Sequence, residues 1–198
     1  MKRILLSFTL LFFAGCSTTY PVVTEYRIEA DRGNLDTIAS RCEKKSLTVA
    51  QVFVSSSLMS KKMKYIVGKY KEYAYNHSEW AENPNRAITD EIVQLLQASH
   101  VFKTVDSYKS FSRSDYTLES RVDDFSQYFS EDEKSSFVVV DITFSLIDNK
   151  SAKVIASKHI KKIMNTKAAN AASGVAALNE ALTETLSEMS KWIAGSCQ

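Results

Sequence analysis

The chain has 198 residues, 44% of them apolar, with 25 Lys and Arg set against 23 Asp and Glu. This is an ordinary globular composition, which excludes a disordered chain. The near balance of charge removes the electrostatic case for nucleic-acid binding.

In chain order, Lys2 and Arg3 precede an apolar run from Ile4 to Phe13, broken by Ser7 and Thr9, that ends in Ala14-Gly15-Cys16. A basic start, a short apolar segment and small residues at its end predict a secretory signal peptide. The run falls short of the roughly 20 apolar residues of a spanning helix. Ala14-Gly15-Cys16 resembles the lipobox of bacterial lipoproteins, with Phe13 where Leu is usual. That resemblance implies cleavage before Cys16 and lipidation of its thiol by a diacylglycerol and an N-acyl chain such as palmitate. Two or three acyl chains anchor stably. An ordinary signal peptide that ends near a Cys is the alternative.

The organisation expected is a signal peptide over 1–15, a lipidated tether over 16–24 and one domain over 25–198. Loss of residues 1–15 removes Lys2 and Arg3 and leaves 23 basic and 23 acidic residues. Cys42 and Cys197 then remain as a pair in an oxidising compartment and predict a disulfide joining the ends of the domain, two free thiols being the alternative.

Within the domain, Glu25 to Glu29 alternates and predicts a first strand, and 33–41 allows one or two helical turns. Ser46 to Val54 predicts a strand. Met63 to Val67 and Glu72 to Tyr75 predict a hairpin about Gly68-Lys69. Tyr65, Tyr70, Tyr73 and Tyr75, followed by Trp80, make the densest aromatic cluster of the chain. Such a cluster is either a half-buried sheet face or a platform for a ligand or partner.

Asn83-Pro84 opens a helix over 84–99 with Ile88, Ile92, Leu95 and Leu96 on one face. Strands are predicted at Phe102–Val105 and Tyr116–Val122, then an exposed loop or strand extension from Asp123 to Ser136. Phe137 to Ile147 is the strongest strand pattern and turns at Asp148-Asn149-Lys150 into Lys153–Ile163, an edge arm carrying Lys158, Lys161 and Lys162. Val175, Leu178, Leu182, Leu186, Met189 and Ile193 form one stripe of a final helix over 168–194. Glu180, Glu184 and Glu188 line another face, either solvated or partner-binding. The fold class expected is α+β: a mixed or antiparallel sheet of about five to seven strands covered by two helices.

Chemistry is hard to find. His77, His100 and His159 stand apart from one another, without the spacing of metal ligands. The five glycines form neither a phosphate loop nor a nucleophile elbow. Glu79 and Glu82 beside His77 read better as a lead-in to the helix than as an acid/base site. Asp123-Asp124 and Glu131-Asp132-Glu133 lack the glycine and spacing of a calcium loop. The expectation is a protein with no catalytic residues, no metal and no cofactor.

The order of these features, with Tyr26-Arg27-Ile28, Ser46-Leu47-Thr48-Val49, the Tyr65 hairpin, Trp80-Ala81-Glu82-Asn83-Pro84 and the closing helix, resembles the ABC-type transport auxiliary lipoprotein family. The resemblance implies a non-enzymatic envelope component that accompanies an MCE-type lipid transporter. In such a system an inner-membrane permease and its ATPase supply energy, and an MCE-domain protein carries lipid across the periplasm. Ser17 after Cys16, rather than Asp, looks like outer-membrane sorting with the domain facing the periplasm. The aromatic residues Tyr65, Tyr73, Tyr75 and Trp80 are the expected partner or lipid contact, and homo-oligomerisation is left open. An assembly lipoprotein that supports an outer-membrane β-barrel is the alternative.

Overall fold

A computed structural model describes residues 22–33 and 39–197. The signal segment, Cys16 and most of the expected tether lie outside the described residues, as does most of the region 33–41. Among the described residues, nine strands form one mixed sheet and two long helices cover one face of it.

The sheet is built around one long strand, β7 (Tyr116–Phe129). On one side β7 pairs antiparallel with β8 (Ser136–Asp148), which pairs antiparallel with β9 (Lys153–Asn165) at the sheet edge. On its other side three short strands line up end to end, all parallel to it. They are β2 (Ser46–Val49) at Tyr116–Leu118, β3 (Phe53–Val54) at Arg121–Val122 and β4 (Lys62–Val67) at Gln127–Phe129. Beyond β2 lies β6 (Thr104–Ser107). Beyond β4 lies β5 (Lys71–Trp80), then β1 (Thr24–Tyr26), which runs parallel to β5.

The helices are α1 (Pro84–Ala98) and α2 (Ala171–Ala194). Pro84 occupies the first turn of α1, where its missing N–H costs nothing. Asn170 caps α2 by accepting from the Ser173 N–H at 2.9 Å. The stripe Val175, Leu178, Leu182, Leu186, Met189 and Ile193 is buried along its length. It packs mainly on β8 and β9, where Val138, Val140, Ile142, Phe144 and Leu146 face it, while α1 packs mainly on β6 and β2. Fully burying side chains of this kind stabilises by about 1.5–3 kcal/mol each.

The edge arm is less bare than its lysines imply. Lys158 reaches Glu188 at 3.3 Å, and Lys162 reaches Glu188 at 3.0 Å and Glu184 at 3.9 Å. Two members of the glutamate row thus clasp β9 to α2, each bridge being worth at most about 1 kcal/mol. Lys161 turns to the other face, where Asp141 accepts from it at 3.0 Å and meets His159 at 2.6 Å.

After β1 the chain leaves the sheet and runs as a strap between the two helices. Ile28 and Ala30 are buried there. The strap's backbone N–H groups find side chains: Glu29 N–H donates to Asn179 Oδ1, Ala30 N–H to Glu91 Oε2 and Asp31 N–H to Thr183 Oγ1. An extended segment without a neighbouring strand therefore satisfies its donors from α1 and α2. A disulfide joins Cys42 to Cys197, with Cα atoms 5.3 Å apart, and ties the end of α2 to the segment before β2.

Several boundaries depart from the sequence expectation. The strand count is nine rather than five to seven. The first strand is shorter and starts earlier, because Arg27 to Ala30 belong to the strap. The segment 46–54 is two strands, since after Ala50, whose N–H still bonds to Leu118 O of β7 at 2.9 Å, the chain breaks register and Val52 N–H bonds instead to Thr89 Oγ1 on α1 at 3.0 Å. β5 runs on to Trp80, and β7 continues to Phe129, which settles Asp123–Phe129 as strand extension. The final helix begins at Ala171 because Asn170 caps it there.

Candidate functional site: the tyrosine face of the hairpin

The hairpin β4–β5 carries the aromatic cluster. Its turn depends on Gly68, which has a φ of +60° and whose N–H donates to Phe129 O at 3.0 Å. A Cβ there would be strained and would overlap the Glu131 carboxylate. The turn presents Tyr70 to solvent at 83% exposure, with Lys69 Nζ 5.1 Å from its ring centre.

Tyr65 is the centre of the cluster. It lies opposite Tyr73 across the hairpin, and the ring centroids are 5.7 Å apart. Tyr75 approaches to 4.5 Å, and Phe129 of β7 meets it edge-on at 5.1 Å. Tilted and edge-on pairs of this kind are each worth about 0.5–1.5 kcal/mol beyond area burial. Tyr65 stands beside Gln127 in the parallel register, so the cluster is on the helix-bearing side of the sheet. The main contacts of both helices lie elsewhere, and Tyr73 remains 48% exposed.

A chain of hydrogen bonds ties this face to the start of α2. The Tyr75 hydroxyl donates to Gln127 Oε1 at 2.9 Å. Gln127 Nε2 donates to Ser136 Oγ at 2.9 Å and to Asn170 O at 3.2 Å, and Ser136 and Thr166 share a bond of 2.6 Å. Burial raises the Tyr75 hydroxyl above its ordinary titration range, and burial also raises Tyr65. Both hydroxyls therefore remain protonated donors at neutral pH. The tyrosines are neutral, half-buried and backed by Gln127, with the exposed Lys71–Glu131 pair close by, which suits recognition of an amphipathic surface more than proton transfer.

Trp80 departs from the expectation that joins it to the tyrosines as a contact residue. It is 4% exposed and packs against Phe125 at 6.0 Å in the core. The register shift between Lys62 and Lys64 breaks the two-residue alternation and turns Trp80 to the covered side. Tyr65, Tyr73 and Tyr75 are brought together and Trp80 is not.

Most of the acidic groups considered for chemistry have structural partners. Glu82 pairs with Arg86 at 3.2 Å, Asp123 with Arg121 at 2.9 Å, Glu131 with Lys71 at 2.9 Å and Asp132 with Lys134 at 3.8 Å. Asp124 lies beside the Tyr128 hydroxyl, which donates to it at 2.5 Å, and burial raises its carboxyl above the usual range. Among the described residues no group of three or more His, Cys, Asp or Glu side chains is placed to hold a metal ion. No helix of the described residues is long and apolar enough to cross a membrane. The Asp141–His159–Lys161 group, on the uncovered face of β8 and β9, is a feature that sequence reasoning missed. The one signal available was the alternation of His159 and Lys161 on a strand facing Asp141.

The fold is similar to the crystal structure of protein XCC0632 from Xanthomonas campestris. The TM-score is 0.71 at 19% identity, over 88% of this chain and 92% of that one. It is also similar to the crystal structure of an uncharacterised protein, with a TM-score of 0.66 at 16% identity over 87% of this chain and 99% of the other. At these identities the likeness is one of fold. No curated protein matches the chain. Residues 30–190, which run from the strap to the last turns of α2, match the family described as the ABC-type transport auxiliary lipoprotein component, and the chain belongs to that family.

Proposed function

We propose that this lipoprotein is the non-enzymatic auxiliary component of an MCE-type lipid transport system, docking the periplasmic lipid-carrying protein at the outer membrane. Cys16 is the lipidated residue, residues 1–15 the signal peptide, and the domain faces the periplasm. Energy comes from a separate permease and ATPase. The tyrosine face of β4–β5 is the docking surface, with Tyr73 at its exposed centre and Tyr65 and Tyr75 behind it.

The observation that carries this reading is an aromatic face left half open by both helices in a chain of this family. Tyrosine is favoured at interfaces because it offers a large rigid area with a polar end at low entropic cost. The test is a photocrosslinking residue at Tyr73 in intact cells, followed by purification and identification of the crosslinked partner. An MCE-domain protein supports the docking role. A β-barrel protein moves the assignment to outer-membrane assembly, and an uncrosslinked chain removes the tyrosine face from consideration.

A further inference from the structure

We infer that the tip of the β4–β5 hairpin, Lys69 and Tyr70, rests in the headgroup layer of the membrane that holds the lipid anchor. This rests on the reading of Cys16 as the lipidated residue.

The argument is one of direction and length. β1 is parallel to β5, with Thr24 beside Ser78. β1 therefore enters the sheet from the side of the hairpin turn and not from the opposite end. Eight residues separate Cys16 from Thr24, and eight separate Tyr70 from Ser78. An extended chain of eight residues reaches about 28 Å at most. Eight residues of regular strand would span about 27 Å, but the five steps from Ala74 to Glu79 face only the two from Lys62 to Lys64. The hairpin therefore projects by the six steps of the other arm, Met63 to Lys69, or about 20 Å. Only a tether drawn out almost to its full length could hold the bilayer clear of the hairpin tip.

The residues at that end suit the interface. Tyr70 is 83% exposed with Lys69 beside its ring, and an amphipathic ring with a lysine whose amine can reach outwards is what the headgroup region favours. Two of the three acids in the neighbouring loop, which would otherwise oppose an anionic surface, are paired within the fold through Lys71–Glu131 and Lys134–Asp132. The β8–β9 turn at Lys150 lies at the other end of β7, since Asp148 pairs with Tyr116 while the hairpin pairs with Phe129.

The test uses the full lipidated chain, purified from membranes and reconstituted into vesicles of phosphatidylethanolamine and phosphatidylglycerol. An environment-sensitive dye is placed on Tyr70→Cys or on Lys150→Cys without reducing the disulfide, and a lipid with a nitroxide in its headgroup is added as quencher. Emission at position 70 should fall at least about twofold while position 150 is unchanged, given the 5–10 Å depth of interfacial contacts. Protein that floats with the vesicles but is quenched equally at both positions, or at neither, overturns the contact and leaves the anchor intact. Protein that fails to float overturns the anchor and the contact together. Neither result bears on crosslinking from Tyr73, so the docking role stands or falls separately.

Discussion

Gln127 on β7 lies directly beneath Gly174 on α2, so close that a Cβ at position 174 would overlap its side-chain amide. Gln127 is 2% exposed and is held by Tyr75, Ser136 and Asn170, so it has little freedom to move aside. Gly174→Ala should therefore destabilise the domain. Overpacking costs about 1–3 kcal/mol, against at most about 1 kcal/mol of gained helix propensity. Urea unfolding checks this, and the penalty should shrink in a Gln127→Ala background, where the overlap is gone.

Removal of the disulfide should be costly because the loop it closes is long. Cys42 and Cys197 are 155 residues apart, and chain entropy alone assigns such a loop about 5 kcal/mol. Cys42→Ser with Cys197→Ser should lower the unfolding midpoint strongly, and denaturation of the parent protein with and without reductant should reproduce the difference.

Trp80 and Tyr73 should separate cleanly. Trp80→Ala removes a buried ring packed on Phe125 and should cost about 3–5 kcal/mol. Tyr73→Ala removes a half-exposed ring and its tilted pair with Tyr65 and should cost only about 1–2 kcal/mol, while reducing recovery of the partner. Circular dichroism melts paired with co-purification distinguish the two.

Acid should weaken the uncovered face through Asp141. Burial pushes its carboxyl up, but the bonds from Lys161 and His159 outweigh burial and hold it below the ordinary aspartate range. A depressed carboxyl stabilises fully above its unfolded value, near about pH 4, and that contribution is lost as pH falls through the folded value. Thermal melts taken from neutral pH downwards should show Asp141→Asn losing less stability in the acid limb than the parent.

Much of the fold was legible because amphipathic period survives in sequence. The stripe from Val175 to Ile193 and the run Phe137–Ile147 predicted α2 and β8 closely. What escaped notice lies where the period breaks. The irregularity between Val122 and Asp124 changes the inward set from Ser120 and Val122 to Phe125, Gln127 and Phe129, so the second half of one long strand read equally as a loop or as a strand extension. The extra residue between β2 and β3 did the opposite and made two strands look like one. At the candidate site the tyrosines were visible as a cluster. Their backing by Gln127 was not, because it joins residues 52 positions apart. The strap left no periodic mark, since its hydrogen-bond acceptors are side chains about 60 and 150 residues away.

Because β2, β3 and β4 all pair with β7, the first half of the chain cannot complete its sheet until residue 129 has been made. The Cys42 thiol likewise waits for Cys197, almost at the end. Pairings of such sequence separation are slow to form. A growing chain of this design can close the β4–β5 hairpin early, but it has no central strand to set that hairpin against β2 and β3 until β7 is complete. The strand order thus makes the domain one that assembles late and all together, around β7.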